Sequence, residues 1–236
     1  MPGAQPVVLV IGGTRGTGQL IAQLLARQGT AVRVLARDPE RARIGLGPTI
    51  EVTAGDVTRI GTLPRAMAGA THVVFTAGCR SGRPATEARI RSTEFGGVVN
   101  TLEAAQGEGF RGRFLYMTAS GVTSRSMAAV MLNLYKGDTL KWRRRAEVEI
   151  RSSAVDYTII RAGVLLNRPG GQHAIVLTQD PLPLSIRYRI ARADVAEAFV
   201  AALDHPRASR ATFEVVWGKG PRREPWPELL AGLKPD

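Results

Sequence analysis

Three glycines and the cations near them carry the first chemical signal. Gly12, Gly16 and Gly18 fall within Gly12-Gly13-Thr14-Arg15-Gly16-Thr17-Gly18. Such a loop can bring bare backbone N–H groups against phosphate oxygens. In that role Gly12 turns the chain sharply, Gly16 removes a side chain where backbone approaches a pyrophosphate, and Gly18 permits a helix to pack close against the sheet. The gaps are three residues and then one, the reverse of the usual dinucleotide order. No Lys-Ser or Lys-Thr comes after the last glycine, which excludes the loop of the nucleotide hydrolases. Arg37 falls 19 residues after Gly18, where a dinucleotide fold places the group that meets the adenine-side ribose. A guanidinium there takes a 2′-phosphate through paired, charge-assisted hydrogen bonds, and Arg15 is a second cation beside it. The two point to NADP(H) rather than NAD(H). The alternative is a solvated Arg37 with Asp38 gripping the ribose hydroxyls.

The elements that must position this loop are legible around it. Val7-Val8-Leu9-Val10-Ile11 is an unbroken apolar run of strand length, and Gln19 to Gln28 carries Leu20, Ile21, Leu24 and Leu25 at helical spacing. Further strands are expected at 31–36, 50–53, 71–76, 113–117, 157–160 and 212–217. Helices are expected at 61–68, 86–106, 140–152 and 195–203. Alternation of strand and helix predicts an α/β fold with a doubly wound parallel sheet of Rossmann type. The whole chain, 1–236, reads as a single domain. Stretches rich in Gly and Pro, near 164–192 and 218–236, read as irregular and are expected to form a small C-terminal cover over a substrate.

Composition narrows the class. The chain has 236 residues, enough for one large core. A single cysteine excludes a disulfide framework and a thiolate metal cluster, and no metal site is expected. No leader precedes the first strand and no apolar run is long enough to span a bilayer. These readings suit a cytoplasmic protein in a reducing compartment. The net charge is +12, and 28 of the 32 basic residues are arginine. They are scattered without interleaved aromatics, so a nucleic-acid partner is not expected. The densest run, Lys141-Trp142-Arg143-Arg144-Arg145, reads as a solvated helix face, the alternative being a phosphate or nucleic-acid contact. A monomer or a homodimer is expected.

Seven segments, taken in order, resemble an atypical short-chain dehydrogenase/reductase of the NmrA-like and plastid NAD(P)-binding group. They are the loop from Ile11 to Gly18, Gly55-Asp56-Val57, Thr76-Ala77-Gly78, Phe95 to Asn100, Trp142 to Glu147, Asp156 to Gly163, and Ala193 to Ala196. The long first glycine gap suits that family. The resemblance implies an NADP(H) site. It places Asp56 and Val57 at the adenine, and Ala77 and Gly78 along the adenine-side ribose. It places Thr118 and Ser120 at the nicotinamide floor, with Ser120 as the family's catalytic serine. Arg161-Ala162-Gly163 would lend backbone to the nicotinamide border.

The main branch of that family uses Tyr-x-x-x-Lys on one helix face, the lysine lowering the tyrosine pKa for proton exchange. This sequence has no such pair. Alignment through Trp142 to Glu147 puts Thr139 in the tyrosine position and Arg143 in the lysine position. A threonine hydroxyl is too weak an acid, and an arginine can orient a ribose or phosphate but cannot relay a proton. Tyr135, Cys79 and His173 are the remaining candidate acids. Two functions stay open. One is an NADPH-dependent reductase of a small quinone, enone, imine or flavin-like acceptor, which takes hydride first and a proton afterwards. The other is a non-catalytic NADP(H)-binding sensor or assembly protein.

Overall fold

A computed structural model describes residues 6–79, 85–124, 126–221 and 224–236. The apolar run Val7–Ile11 forms β1 and sits inside the sheet, buried on both faces. Its residues alternate between two cores. Val8 and Val10 face the helices Gly16–Arg27 (α1) and Arg192–Ala202 (α8), whereas Leu9 and Ile11 face the opposite layer. That opposite layer holds Pro64–Met67 (α3), Gly97–Gly107 (α5) and Thr139–Ser152 (α7).

The other strands are Ala31–Ala36 (β2), Glu51–Ala54 (β3), Ala70–Phe75 (β4), Arg113–Ala119 (β5), Asp156–Ala162 (β6), Val164–Leu166 (β7), Ile175–Thr178 (β8), Arg189–Ala191 (β9) and Ala211–Trp217 (β10). The main sheet has eight strands in the order β3-β2-β1-β4-β5-β6-β10-β8. All its pairings are parallel except β10 with β8. The order reverses between β1 and β4, so the loops after these two strands open a crevice at the carboxyl edge of the sheet. This is the doubly wound architecture expected from the sequence.

The remaining helices are Pro39–Leu46 (α2), Glu87–Ile90 (α4), Met127–Tyr135 (α6) and Trp226–Ala231 (α9). Several differ from the sequence reading. The segment after the strand at 31–36, where no helix was expected, starts α2: Asp38 Oδ1 accepts the Arg41 N–H at 3.1 Å and Pro39 fills the first turn. The expected helix at 86–106 is one helical run whose middle, Arg91–Gly96, winds as a π-helix between α4 and α5. The expected helix at 61–68 splits into a 3₁₀ turn, Ile60–Thr62, and α3.

The stretch 164–192 is less irregular than expected, since it contributes β8 to the main sheet and the parallel pair β7–β9. It lies at the carboxyl edge, where the Gly121 N–H donates to Leu182 O at 3.0 Å. Residues 222 and 223 of the second stretch lie outside the described residues. Its last residue is fastened at the other edge: Asp236 accepts from Thr212 N and Oγ1 at 2.9 and 2.5 Å, at the start of β10.

Candidate functional site

The glycine turn joins β1 to α1 in a way that only glycine allows at two positions. Gly12 has φ +86°, and a Cβ there would lie 2.6 Å from Ala77 N. A Cβ on Gly18 would run into Thr76 Oγ1 and the Gly12 carbonyl. The start of α1 is thereby pressed against the end of β4, as the close-packing role requires. Gly16 and Thr14 are exposed, while Thr17 is buried. Arg15 precedes α1 in an extended conformation, no side chain caps the helix, and no acid stands in its first turn. The first N–H groups of α1 and the positive end of its dipole are left for an outside anion.

Arg15 and Arg37 flank this opening, and both are exposed. Among the described residues neither is within ion-pair or hydrogen-bond reach of a partner. Asp38, the competitor for the ribose, has one oxygen occupied in capping α2. A third arginine, which the sequence reading missed, reaches the same opening from the first residue of α8. Arg192 Nη1 lies 3.4 Å from Thr17 Oγ1, and its Nε donates to Asn167 Oδ1 at 2.9 Å. A signal existed, because a cation at the start of a helix opposes the dipole and asks for a reason.

Asp56 and Val57 follow β3. Asp56 Oδ1 accepts from Thr58 N and Oγ1, both at 2.9 Å, so the carboxylate shapes its own turn. Val57 is buried beneath Gly97, and its carbonyl accepts from Asn100 Nδ2 at 2.7 Å. Ala77 closes on Gly12, and Gly78 lies over Arg143, whose Nη2 would be 2.9 Å from a Cβ at that position.

Around α7 the side chains pair with one another. Glu94, in the π-helical turn, is buried and accepts from Thr139 Oγ1 at 2.5 Å, Arg143 Nε at 2.8 Å and the Cys79 N–H at 2.9 Å. Burial works to raise its pKa, but Arg143, Thr139 and the Cys79 N–H outweigh that and hold it below the usual carboxylate range. The two positions aligned with the tyrosine–lysine pair are thus clamped to one anion. Arg143 also reaches Met117 O at 3.4 Å. Glu94 was readable too: it stands four residues from both Ile90 and Val98 on an apolar helix face, where an acid needs a buried partner.

A second network lies under the ends of β5, β6 and β10. Ser120 is buried, and its hydroxyl donates to Glu214 Oε2 at 2.5 Å. Arg161 holds Glu147 through Nε and Nη2 at 3.1 and 2.6 Å and stands 3.6 Å from Glu214 through Nη1. Burial raises the Glu214 pKa despite Ser120 and Arg161. The side chain of Arg161 is therefore committed inward, and the backbone here runs in the sheet between β5 and β10: Ala162 O accepts the Ser120 N–H at 2.9 Å and the Gly163 N–H donates to Val215 O at 3.1 Å. Gly163 packs so closely on Tyr188 O that a Cβ would come to 2.5 Å.

Thr118 Oγ1 is buried without a hydrogen-bond partner among the described residues; the Tyr116 phenol neighbours it outside hydrogen-bond geometry. The other candidate acids are dispersed. Tyr135 ends α6 with its side chain exposed, and His173 lies against Trp217 with ring centroids 4.1 Å apart and the planes tilted by 42°. Burial raises the pKa of the Cys79 thiol. Lys136, half-buried, stands in the field of Arg143, Glu94 and Cys79, and burial followed by Arg143 lowers its pKa. Next to Ser120 a groove of about 400 Å³ opens between α6 and α7, lined by Gly121, Val122, Asn133, Leu140, Arg144 and Val148, among others.

These features fit a dinucleotide. The start of α1 is uncapped. Among the described residues, three cations around it lack a carboxylate and one hydroxyl is unpartnered at the end of β5. Among the same residues no group of side chains fits a metal ion, and no helix is long and apolar enough to cross a membrane.

Comparison with known proteins agrees. A family model described as NAD(P)H-binding matches residues 12–206. An uncharacterized chloroplastic protein of Arabidopsis thaliana is 28% identical over 238 residues, covering 96% of this chain and 82% of that protein. Sanguinarine reductase of Eschscholzia californica is 42% identical over 80 residues, covering 34% of this chain and 29% of that enzyme. Among solved structures, a putative NAD-dependent epimerase/dehydratase from Bacillus halodurans superposes with a TM-score of 0.80 at 23% identity, covering 97% of this chain and 100% of that one. The anaerobilin reductase ChuY of Escherichia coli O157:H7 superposes with a TM-score of 0.75 at 19% identity, covering 94% and 100%. With the glycine loop, the parallel sheet and the matched span in agreement, this chain belongs to the NAD(P)H-binding family.

Proposed function

We propose that the protein is an NADP(H)-dependent reductase of the atypical short-chain type. Its acceptor is a small quinone, enone, imine or flavin-like molecule. The observation that carries the cofactor choice is Arg37, exposed and unpaired among the described residues at the end of β2, with Arg15 beside the loop. The bound nicotinamide supplies hydride. Ala77, Gly78, Thr118 and the Arg161-Ala162-Gly163 backbone position it at the carboxyl edge, and Asp56 and Val57 border the adenine.

Two likenesses support the reductase half of the reading, one to sanguinarine reductase and one to an anaerobilin reductase. The clamp on Thr139 and Arg143 supports the choice of acceptor. Glu94 is held ionised and Arg143 is charged, so neither gives up a proton. Acceptors that take hydride first suit such a site, the proton coming later from water or from Lys136. The segment 164–192 and the groove past Ser120 give the acceptor its cover. Tyr135, with its ring in solvent, and Ser120, already hydrogen-bonded to Glu214, hold lesser parts in this scheme. A cytoplasmic location and a monomer or homodimer complete the reading.

The test is a single-turnover panel. The NADPH-loaded protein is mixed rapidly with quinones, enones, cyclic imines, oxidised flavins and plain ketones while nicotinamide absorbance is monitored. At least one hydride-first acceptor should react far faster than with free NADPH, because positioning alone contributes several kcal/mol. Plain ketones should lag. No acceleration across the panel, with NADPH tightly bound, would replace this reading by the sensor.

A further inference from the structure

We propose that Arg192 is the clamp for the cofactor's pyrophosphate, closing from α8 over the glycine loop. The inference rests on the reading that this loop binds NAD(P)H and adds a residue that neither motif nor family match assigns.

Arg192 opens α8 directly after β9, and α8 packs against α1 in the same core. Its guanidinium is thus carried on a rigid element to the start of α1. Nη1 stands 3.8 Å from where a Cβ on Gly16 would be, and outside the adjoining residues and the helix's own backbone no other described atom comes within 4 Å of that point. The partners of Arg192 are both neutral, Thr17 Oγ1 at 3.4 Å and Asn167 Oδ1 at 2.9 Å. No carboxylate pairs with it among the described residues. A guanidinium has five N–H donors in a fixed fork, so most of them remain unused.

Two sources of positive potential therefore meet at one place, the dipole end of α1 and the guanidinium itself, while Asp194 in the first turn of α8 answers that helix's own dipole. Half-burial lowers the Arg192 pKa, so the charge is held there at a cost that an anion would relieve. Of the cofactor's anionic groups, the pyrophosphate is the one that belongs at a glycine turn, and both NADPH and NADH carry it. The 2′-phosphate falls to Arg37, on the far side of the loop at the end of β2.

That division of labour sets the experiment. NADPH and NADH are titrated calorimetrically into wild type, Arg192→Ala, Arg192→Gln and Arg192→Lys, with thermal melting of the ligand-free proteins alongside. Arg192→Ala and Arg192→Gln should weaken both nucleotides by the same factor, roughly tenfold to a hundredfold. Arg192→Lys should recover part of the loss. Asn167→Ala, which removes a neutral anchor and leaves the charge, should weaken binding far less. Unchanged affinity for both nucleotides in Arg192→Gln, or a loss confined to NADPH, would overturn the assignment. So would an Asn167→Ala defect as large as that of Arg192→Ala, since the role would then be structural. Equal affinity of wild type for NADPH and NADH would end the NADP preference and leave this test intact. Failure of wild type to bind either nucleotide would end the underlying reading instead.

Discussion

Arg15 and Arg192 at the start of α1, and Arg37 at the neighbouring end of β2, stand without a carboxylate among the described residues. Beneath α7, Arg143 and Arg161 each hold a buried one at 2.8 and 2.6 Å. The first region is left incomplete and the second is closed upon itself. The difference separates binding from scaffolding in a single crevice. Unpaired cations beside an uncapped helix have their largest favourable interaction still to make, with a ligand. Cations neutralised by Glu94, Glu147 and Glu214 have already made theirs, and they fix the ends of β5 and β6 where the nicotinamide would rest. The usual proton-relay positions belong to the closed region, and for that reason the proposed chemistry leans on positioning.

The comparison can be broken most directly in the closed region. Arg161→Ala would leave Glu147 and Glu214 buried with too little positive charge between them. Removal of one member of a buried ionic network costs about 3–5 kcal/mol. Chemical denaturation should show that loss as a lower midpoint with an unchanged slope. A change under about 1 kcal/mol would mean that the network holds nothing together.

The open region should respond in affinity and leave stability alone. Arg37→Ala should weaken NADPH by about 1.5–3 kcal/mol, roughly tenfold to a hundredfold, and leave NADH untouched. Titration with both nucleotides reads this out, with melting temperature as the control. An equal loss for both would show that Arg37 does not meet the 2′-phosphate.

The smallest effect is expected at Thr139. Its hydroxyl donates to Glu94, which is held ionised, so it has no proton to pass on. Thr139→Ala should change turnover of any accepted substrate by less than about tenfold, or 1.4 kcal/mol in the barrier. A thousandfold fall would make Thr139 part of the chemistry.

The glycine loop, the doubly wound parallel sheet and the nicotinamide class of the cofactor were legible because they rest on local rules. An apolar run reads as a strand, glycines mark a turn, and alternation implies a parallel sheet. Arg37 was proposed by counting from Gly18. Elements that depend on non-local packing were not legible. β8 lies in a stretch rich in glycine and proline and exists because the edge of β10 accepts it. α6 is apolar on its exposed side, with Met127, Met131 and Leu134 in solvent, so its pattern offers no core face to read. The site partners Glu94, Arg192 and Glu214 come from three distant parts of the chain, and spacing cannot bring them together. Each nonetheless broke a local rule. Glu94 and Glu214 are acids among apolar neighbours, and Arg192 is a cation at the wrong end of a helix.

The π-helical turn at Arg91–Gly96 gives its helix two phases. An extra residue in a turn is equivalent to about 100° of rotation. Ile90 before the turn, Glu94 within it, and Val98, Thr101 and Ala105 after it are all buried, so the wide turn takes up its extra residue without turning either flank out of the core. Glu94 is carried on the wide turn itself, so any change that tightens the turn acts first on the carboxylate that Thr139, Arg143 and the Cys79 N–H share.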